Sequence, residues 1–118
     1  MRIAMPRGDI KLVRFLINNP NGETTNVDFT EIYFTVKKTT KDQQYKFQKK
    51  LSTGGIAKLN NGDYQVKIEP DDTKNMNYGA YKFDVQLIYV DPNGVKQLQE
   101  TFVGDFILTE EVTYVENE

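Results

Sequence analysis

The chain has 118 residues, of which 38% are hydrophobic, 27% charged and 12% aromatic. That is enough for one domain burying about two thirds of its unfolded surface, and the aromatic share argues against disorder. It has no cysteine and no histidine, which excludes disulfides, thiolate nucleophiles and cysteine metal sites and removes the commonest general base and transition-metal ligand. Net charge is -2; no stretch nears the roughly 18 apolar residues that span a membrane, and Met1 to Asp9 holds no secretory apolar run, so synthesis and folding in a cytoplasm are expected.

Ile10 to Ile17 is the first predicted strand, with Val13, Phe15 and Ile17 on one side and Ile10, Leu12 and Leu16 on the other, the latter interrupted by Arg14. Two apolar sides imply deep burial or a contact on the second face. Asn18 to Gly22 breaks the strand. Glu31 to Lys38 then alternates, Ile32, Phe34 and Val36 inward and Tyr33, Thr35 and Lys37 outward, as a central strand with one wet face does.

After a turn at Thr39 to Asp42, Gln44 to Leu51 alternates through Tyr45, Phe47, Lys49 and Leu51, and the inward lysine predicts a place near a sheet edge. Gly54-Gly55 ends that strand, Ile56 and Leu59 mark a short connecting segment, and Asn60 to Asp63 turns into a strand carrying Tyr64, Val66 and Ile68. Pro70 to Thr73 reads as one helical turn with an aspartate placed to cap free amides. Met76 is expected to plug the bottom of the core.

Asn77-x-Gly79-x-Tyr81 has the spacing of a tyrosine corner, in which a tyrosine opening a late strand of an immunoglobulin-like sandwich bonds back to upstream backbone. In the strand that follows, Tyr81, Phe83, Val85, Leu87 and Tyr89 share one face. Asp91 to Gly94 closes a hairpin into Val95 to Phe102. Gly104 suggests a bulge before Phe106 and Leu108, and Val112, Tyr114 and Val115 form a last short strand or a departing tail. Seven or so strands, with turn signals about every ten residues, predict a single antiparallel immunoglobulin-like β-sandwich over residues 1–118.

Charge is unevenly spread. Lys37 to Lys67 holds eight lysines against two acids, whereas Glu100 to Glu118 holds six acids and no basic residue. Solvated strand faces with edge lysines explain this; the sharper reading is that opposite strips orient like copies in an assembly. Lysines without arginines, a recognisable module or a positive net charge do not point to nucleic acid.

No short motif carries a chemistry. Arg7-Gly8-Asp9 matches the integrin-recognised tripeptide, but directly before a strand it reads as structural, with Asp9 capping the strand start. Asp71-Asp72 and Asp91-x-Asn93 offer too few oxygens for calcium and read as cap and turn chemistry. Glu110 and Glu111 face opposite ways on a strand and cannot share a substrate. Tyr33 and Tyr78 are the candidate binding aromatics, with half-buried packing as the plainer use. No catalytic, cofactor-binding or metal residue is assigned.

In order, Arg7-Gly8-Asp9, Asp28-Phe29-Thr30 leading into Ile32 to Lys38, Lys50-Leu51 to Gly55-Ile56, Gly62 to Val66, Pro70 to Thr73, Gly79 to Val85, and Gly104 to Leu108 before Val112-Thr113 make up a recognisable series. It resembles the N-terminal immunoglobulin-like domain of baseplate upper proteins, found in tailed phages and prophages of Gram-positive bacteria, over Arg7 to Thr113. The resemblance implies a non-enzymatic virion module, synthesised in the bacterial host cytoplasm, that attaches a fibre or receptor-binding protein to the tail. Its implied partners are other tail or baseplate proteins and copies of itself; nucleic acid, membrane, small-molecule substrate and cofactor are not implied. Such proteins commonly continue into further domains, and this chain ends at Glu118, as a free-standing tail protein or an excised domain. The family's attachment residues are not a fixed motif, so none is carried over. The alternative is an immunoglobulin-like module that recognises cell-surface polysaccharide through Tyr33 and Tyr78.

Overall fold

Alternating apolar residues leave each strand with one face that must be covered, and two sheets packed face to face satisfy both at once. The computed structural model describes residues 1–110, the side chain of Glu100 excepted. Its elements are β1 (Arg2–Pro6), β2 (Lys11–Leu16), β3 (Glu31–Lys37), β4 (Phe47–Lys50), β5 (Ile56–Asn60), β6 (Asp63–Ile68), α1 (Pro70–Thr73), β7 (Gly79–Val90) and β8 (Lys96–Thr109). One sheet runs β1-β8-β7-β3-β4 and the other β2-β6-β5. Neighbours are antiparallel except β1 and β8, which are parallel. This is an immunoglobulin-like antiparallel β-sandwich with one short helix before its long tyrosine strand.

The predicted inward rows fill the interior. Phe15, Ile32, Phe34, Val36, Tyr64, Val66, Ile68, Phe83, Val85 and Leu87 are buried, and Met76 closes the core below α1. The corner forms as its spacing predicts: the Tyr81 hydroxyl donates to the Asn77 carbonyl at 2.7 Å, while Lys38 Nζ lies 4.6 Å from the Tyr81 ring centroid and donates to Ala80 O at 2.9 Å. In α1 the Glu69 N–H donates to Asp72 Oδ2 at 2.8 Å, the capping anticipated at Pro70 to Thr73.

Several expectations change. Arg2–Pro6, read only as lacking a leader, is a strand that buries Ile3 and Met5 and pairs in parallel with β8. Ile56 to Asn60, read as a connecting segment, is one of the two edge strands of the smaller sheet; its apolar signal is short because only Ile56 is buried, while Leu59 is exposed. Tyr45 is exposed and the strand begins at Phe47. Lys49 lies on the edge strand as anticipated, but its ammonium meets Asp72 of α1 at 2.5 Å in a largely covered pair. The predicted strand or tail at Val112, Tyr114 and Val115 lies outside the described residues.

Gly104 does not mark the bulge. Register shifts between Val85 and Gln86, where Thr101 is the extra residue on β8. Gly104 instead pairs regularly with Phe83 and admits close backbone approach: a Cβ there would sit 1.9 Å from the Met1 carbonyl oxygen.

Two stability measurements follow. Tyr81→Phe removes only the corner hydrogen bond and lowers unfolding free energy by about 1 kcal/mol in urea titration; an unchanged midpoint contradicts the role given to this bond. Gly104→Ala drives β1 away from β8, costing about 1–3 kcal/mol, with faster amide exchange confined first to residues 2–6; protection there equal to wild type contradicts it.

Candidate interaction surface

The turn joining β1 to β2 carries the integrin-like tripeptide, and the fold puts its first two residues to structural use. The Arg7 guanidinium lies 4.4 Å from the Tyr78 ring centroid and its Nη1 donates to Met76 O at 3.4 Å. The Gly8 N–H donates to the hydroxyl of fully buried Thr73 at 2.8 Å, and Gly8 has φ +80°, the left-handed region that glycine adopts without strain. Asp9 is exposed, its N–H donating to Pro6 O, so the anchoring comes from Arg7 and Gly8 and not from an aspartate cap.

The two candidate aromatics are not brought together. Tyr33 sits on the outer face of the larger sheet opposite Gln86, with Lys50 Nζ 5.6 Å from its ring centroid, whereas Tyr78 directly precedes β7. From Gly79 to Gln86 along the strand is ~23 Å, too far for one saccharide ring to touch both.

The outer face of the larger sheet is polar around Thr35 and Lys82, with Val103 and Leu98 of β8 exposed beside these groups. Lys82 pairs with Asp105, Gln48 Nε2 donates to the Thr35 hydroxyl at 3.0 Å, and an open hollow of about 160 Å3 is lined by Thr35, Lys37, Thr40, Lys82, Phe83, Asp84 and Val103. The lysine-rich run does not make one positive strip: Lys49 turns to Asp72, Lys58 pairs with Asp28 at 2.9 Å, and Lys67 lies on β6 in the other sheet. The acidic pairs serve locally. Asp71 pairs with Lys74, and Asp91 accepts from the N–H groups of Asn93 and Val95 and from Gln97 Nε2. Glu110 is exposed, and Glu111 lies outside the described residues.

The outer face of the smaller sheet differs. Ile10, Leu12 and Leu16 are 62%, 54% and 51% exposed in and beside edge strand β2, so the second apolar side foreseen for this segment is left uncovered by the described residues. Between the two leucines, Arg14 Nε and Nη2 donate to Asp63 Oδ1 and Oδ2 at 2.7 and 2.5 Å. This fork, made across 49 residues of sequence, was not anticipated; the only hint was a cation interrupting an apolar row.

The architecture and the surface define an immunoglobulin-like module with a packed aromatic and aliphatic interior, whose exposed apolar groups include the aliphatic side chains of edge strand β2. No protein-family model matches the sequence, and no curated protein matches it.

Three aspartates are held below the ordinary range: Asp63 by its hydrogen bond and charge attraction to Arg14, Asp91 chiefly by the Val95 N–H, and Asp105 chiefly by the bond to Lys82. A lowered folded-state pKa stabilises the fold fully above the unfolded value near ~4 and is lost as pH falls through the lower folded value. Urea midpoints should therefore stay level from neutrality to about pH 5 and fall below about pH 4. Asp63→Asn should shrink that acid drop; an identical drop would show that its link to Arg14 contributes nothing.

Proposed function

We propose that this chain is a non-enzymatic assembly module of a phage or prophage tail, working through protein-protein contacts with copies of itself and with neighbouring tail or baseplate proteins. One observation carries the assembly half of this reading: an edge strand and the residue before it present three aliphatic side chains to solvent, beside a cation already neutralised within the chain. Exposed apolar residues grouped on one edge are what an interaction surface requires. The tail context is supported by the ordered series of segments, whose members fall at β3, β6, α1 and β7 of the sandwich.

The direct test is localisation. An antibody to this chain should label one end of purified tailed particles induced from the source bacterium, and peptide mass spectrometry of those particles should recover it together with other tail proteins. Particles that are complete and infective but lack the chain would end the tail reading. The assembly reading has its own measurement, sedimentation from micromolar to near-millimolar concentration, where a defined oligomer is expected.

A further inference from the structure

Among the described residues four strand edges bound the two sheets, and three carry features that discourage pairing. β4 is four residues long and carries Lys49 and Lys50, β5 is interrupted by a register shift between Lys58 and Asn60, and β1 is five residues long and ends at Pro6. β2 has six residues in unbroken register with β6 and, among the described residues, no strand on its other side.

The direction of its free backbone groups follows from the ladder. Ile17 N–H donates to Gly62 O at 2.8 Å, continuing the register in which Lys11 opposes Ile68 and Phe15 opposes Tyr64. Odd-numbered residues therefore bond to β6, and the N–H and C=O groups of Leu12, Arg14 and Leu16 face the open side. Leu12 and Leu16 also have the exposed side chains.

The segment is symmetric about its centre. Leu12-Val13-Arg14-Phe15-Leu16 reads outward apolar, inward apolar, cation, inward apolar, outward apolar in either direction. We propose that β2 pairs antiparallel with β2 of a second copy about a two-fold axis at Arg14, joining two three-stranded sheets into one of six strands. Leu12 then opposes Leu16 of the other copy twice, and Val13 opposes Phe15 twice. Each Leu12–Leu16 pair is flanked by Lys67 on one side and Asp63 of the other copy on the far side, because these residues oppose Leu12 and Leu16 within each chain. The two arginines at the axis do not meet as free charges, since each is forked onto its own Asp63 on β6, away from the edge. A contact of this size is at the low end of specific interfaces, suited to copies already held at high local concentration.

The inference rests on the assembly reading and names its contact. Sedimentation of the full chain at rising concentration should show a species of twice the mass of one chain. Leu12→Pro removes an open-edge N–H without touching the ladder to β6, a substitution that edge strands tolerate; it should abolish the dimer with the circular dichroism spectrum unchanged. If that variant unfolds, Leu12→Lys reads the same contact through the side chain. Register is read by cysteine pairing in this cysteine-free chain. Leu12→Cys with Leu16→Cys should give a covalent dimer under mild oxidation, because hydrogen-bonded opposite residues have Cα atoms about 5.5 Å apart, and either single substitution should crosslink at least ten-fold less. A dimer that survives both Leu12 variants, or single cysteines that link as well as the pair, overturns the β2 contact and leaves self-assembly standing. A monomer at every concentration overturns both.

Discussion

The chain of phenylalanine rings that crosses from one sheet to the other is the constraint on which the rest depends. Phe15 of β2 lies 6.1 Å from Phe34 of β3 and 5.0 Å from Phe102 of β8, measured between ring centroids. Phe34 continues to Phe83 at 5.4 Å and to Phe47 at 6.2 Å, and Phe47 reaches Phe106 at 5.7 Å. Tilted and edge-on rings at these separations add to the burial energy of large side chains, and they hold both layers to one spacing. With the interior given over to packing, the open hollow on the larger sheet is a surface feature and the functional groups lie outside.

The two outer faces solve the same problem differently. On the larger sheet, cations and anions neutralise each other across neighbouring strands, as Lys82 and Asp105 do, in a mixed surface that also exposes Val103 and Leu98. On the smaller sheet, the Arg14–Asp63 fork neutralises the charge but leaves the leucines beside it exposed. Exposed aliphatic groups next to an internally satisfied cation combine solubility in the free chain with a surface that a partner can cover at little electrostatic cost.

The corner end of the molecule is held in several independent ways. The Tyr81 hydroxyl fixes the corner from within, Thr73 holds the Gly8 amide, and Arg7 lies over Tyr78. Together these tie β1, α1 and β7, so a tripeptide that would be a recognition signal on a free loop is here part of the frame.

Much of the architecture was legible because strand burial repeats every second residue. Phe34, Val85 and Tyr64 announce their faces through their neighbours, and the tyrosine corner through three residues at fixed spacing. β1 was not legible, since two buried residues between a polar start and a proline are too few for a period, and its partner lies a hundred residues away. Gly104 signalled a special backbone position but not which kind, because the Met1 carbonyl it accommodates arrives only with β1. The edge status of β2 was equally hidden: Ile10, Leu12 and Leu16 read alike whether buried or exposed, and only sheet order shows that none of the described strands covers them. By itself the sequence determined the period, the turns and hence the class of fold, all of which follow from local sterics and apolar spacing. Which strands became edges, which charges met and which apolar face stayed open were decided by tertiary structure, because each depends on residues distant in the chain being brought into register.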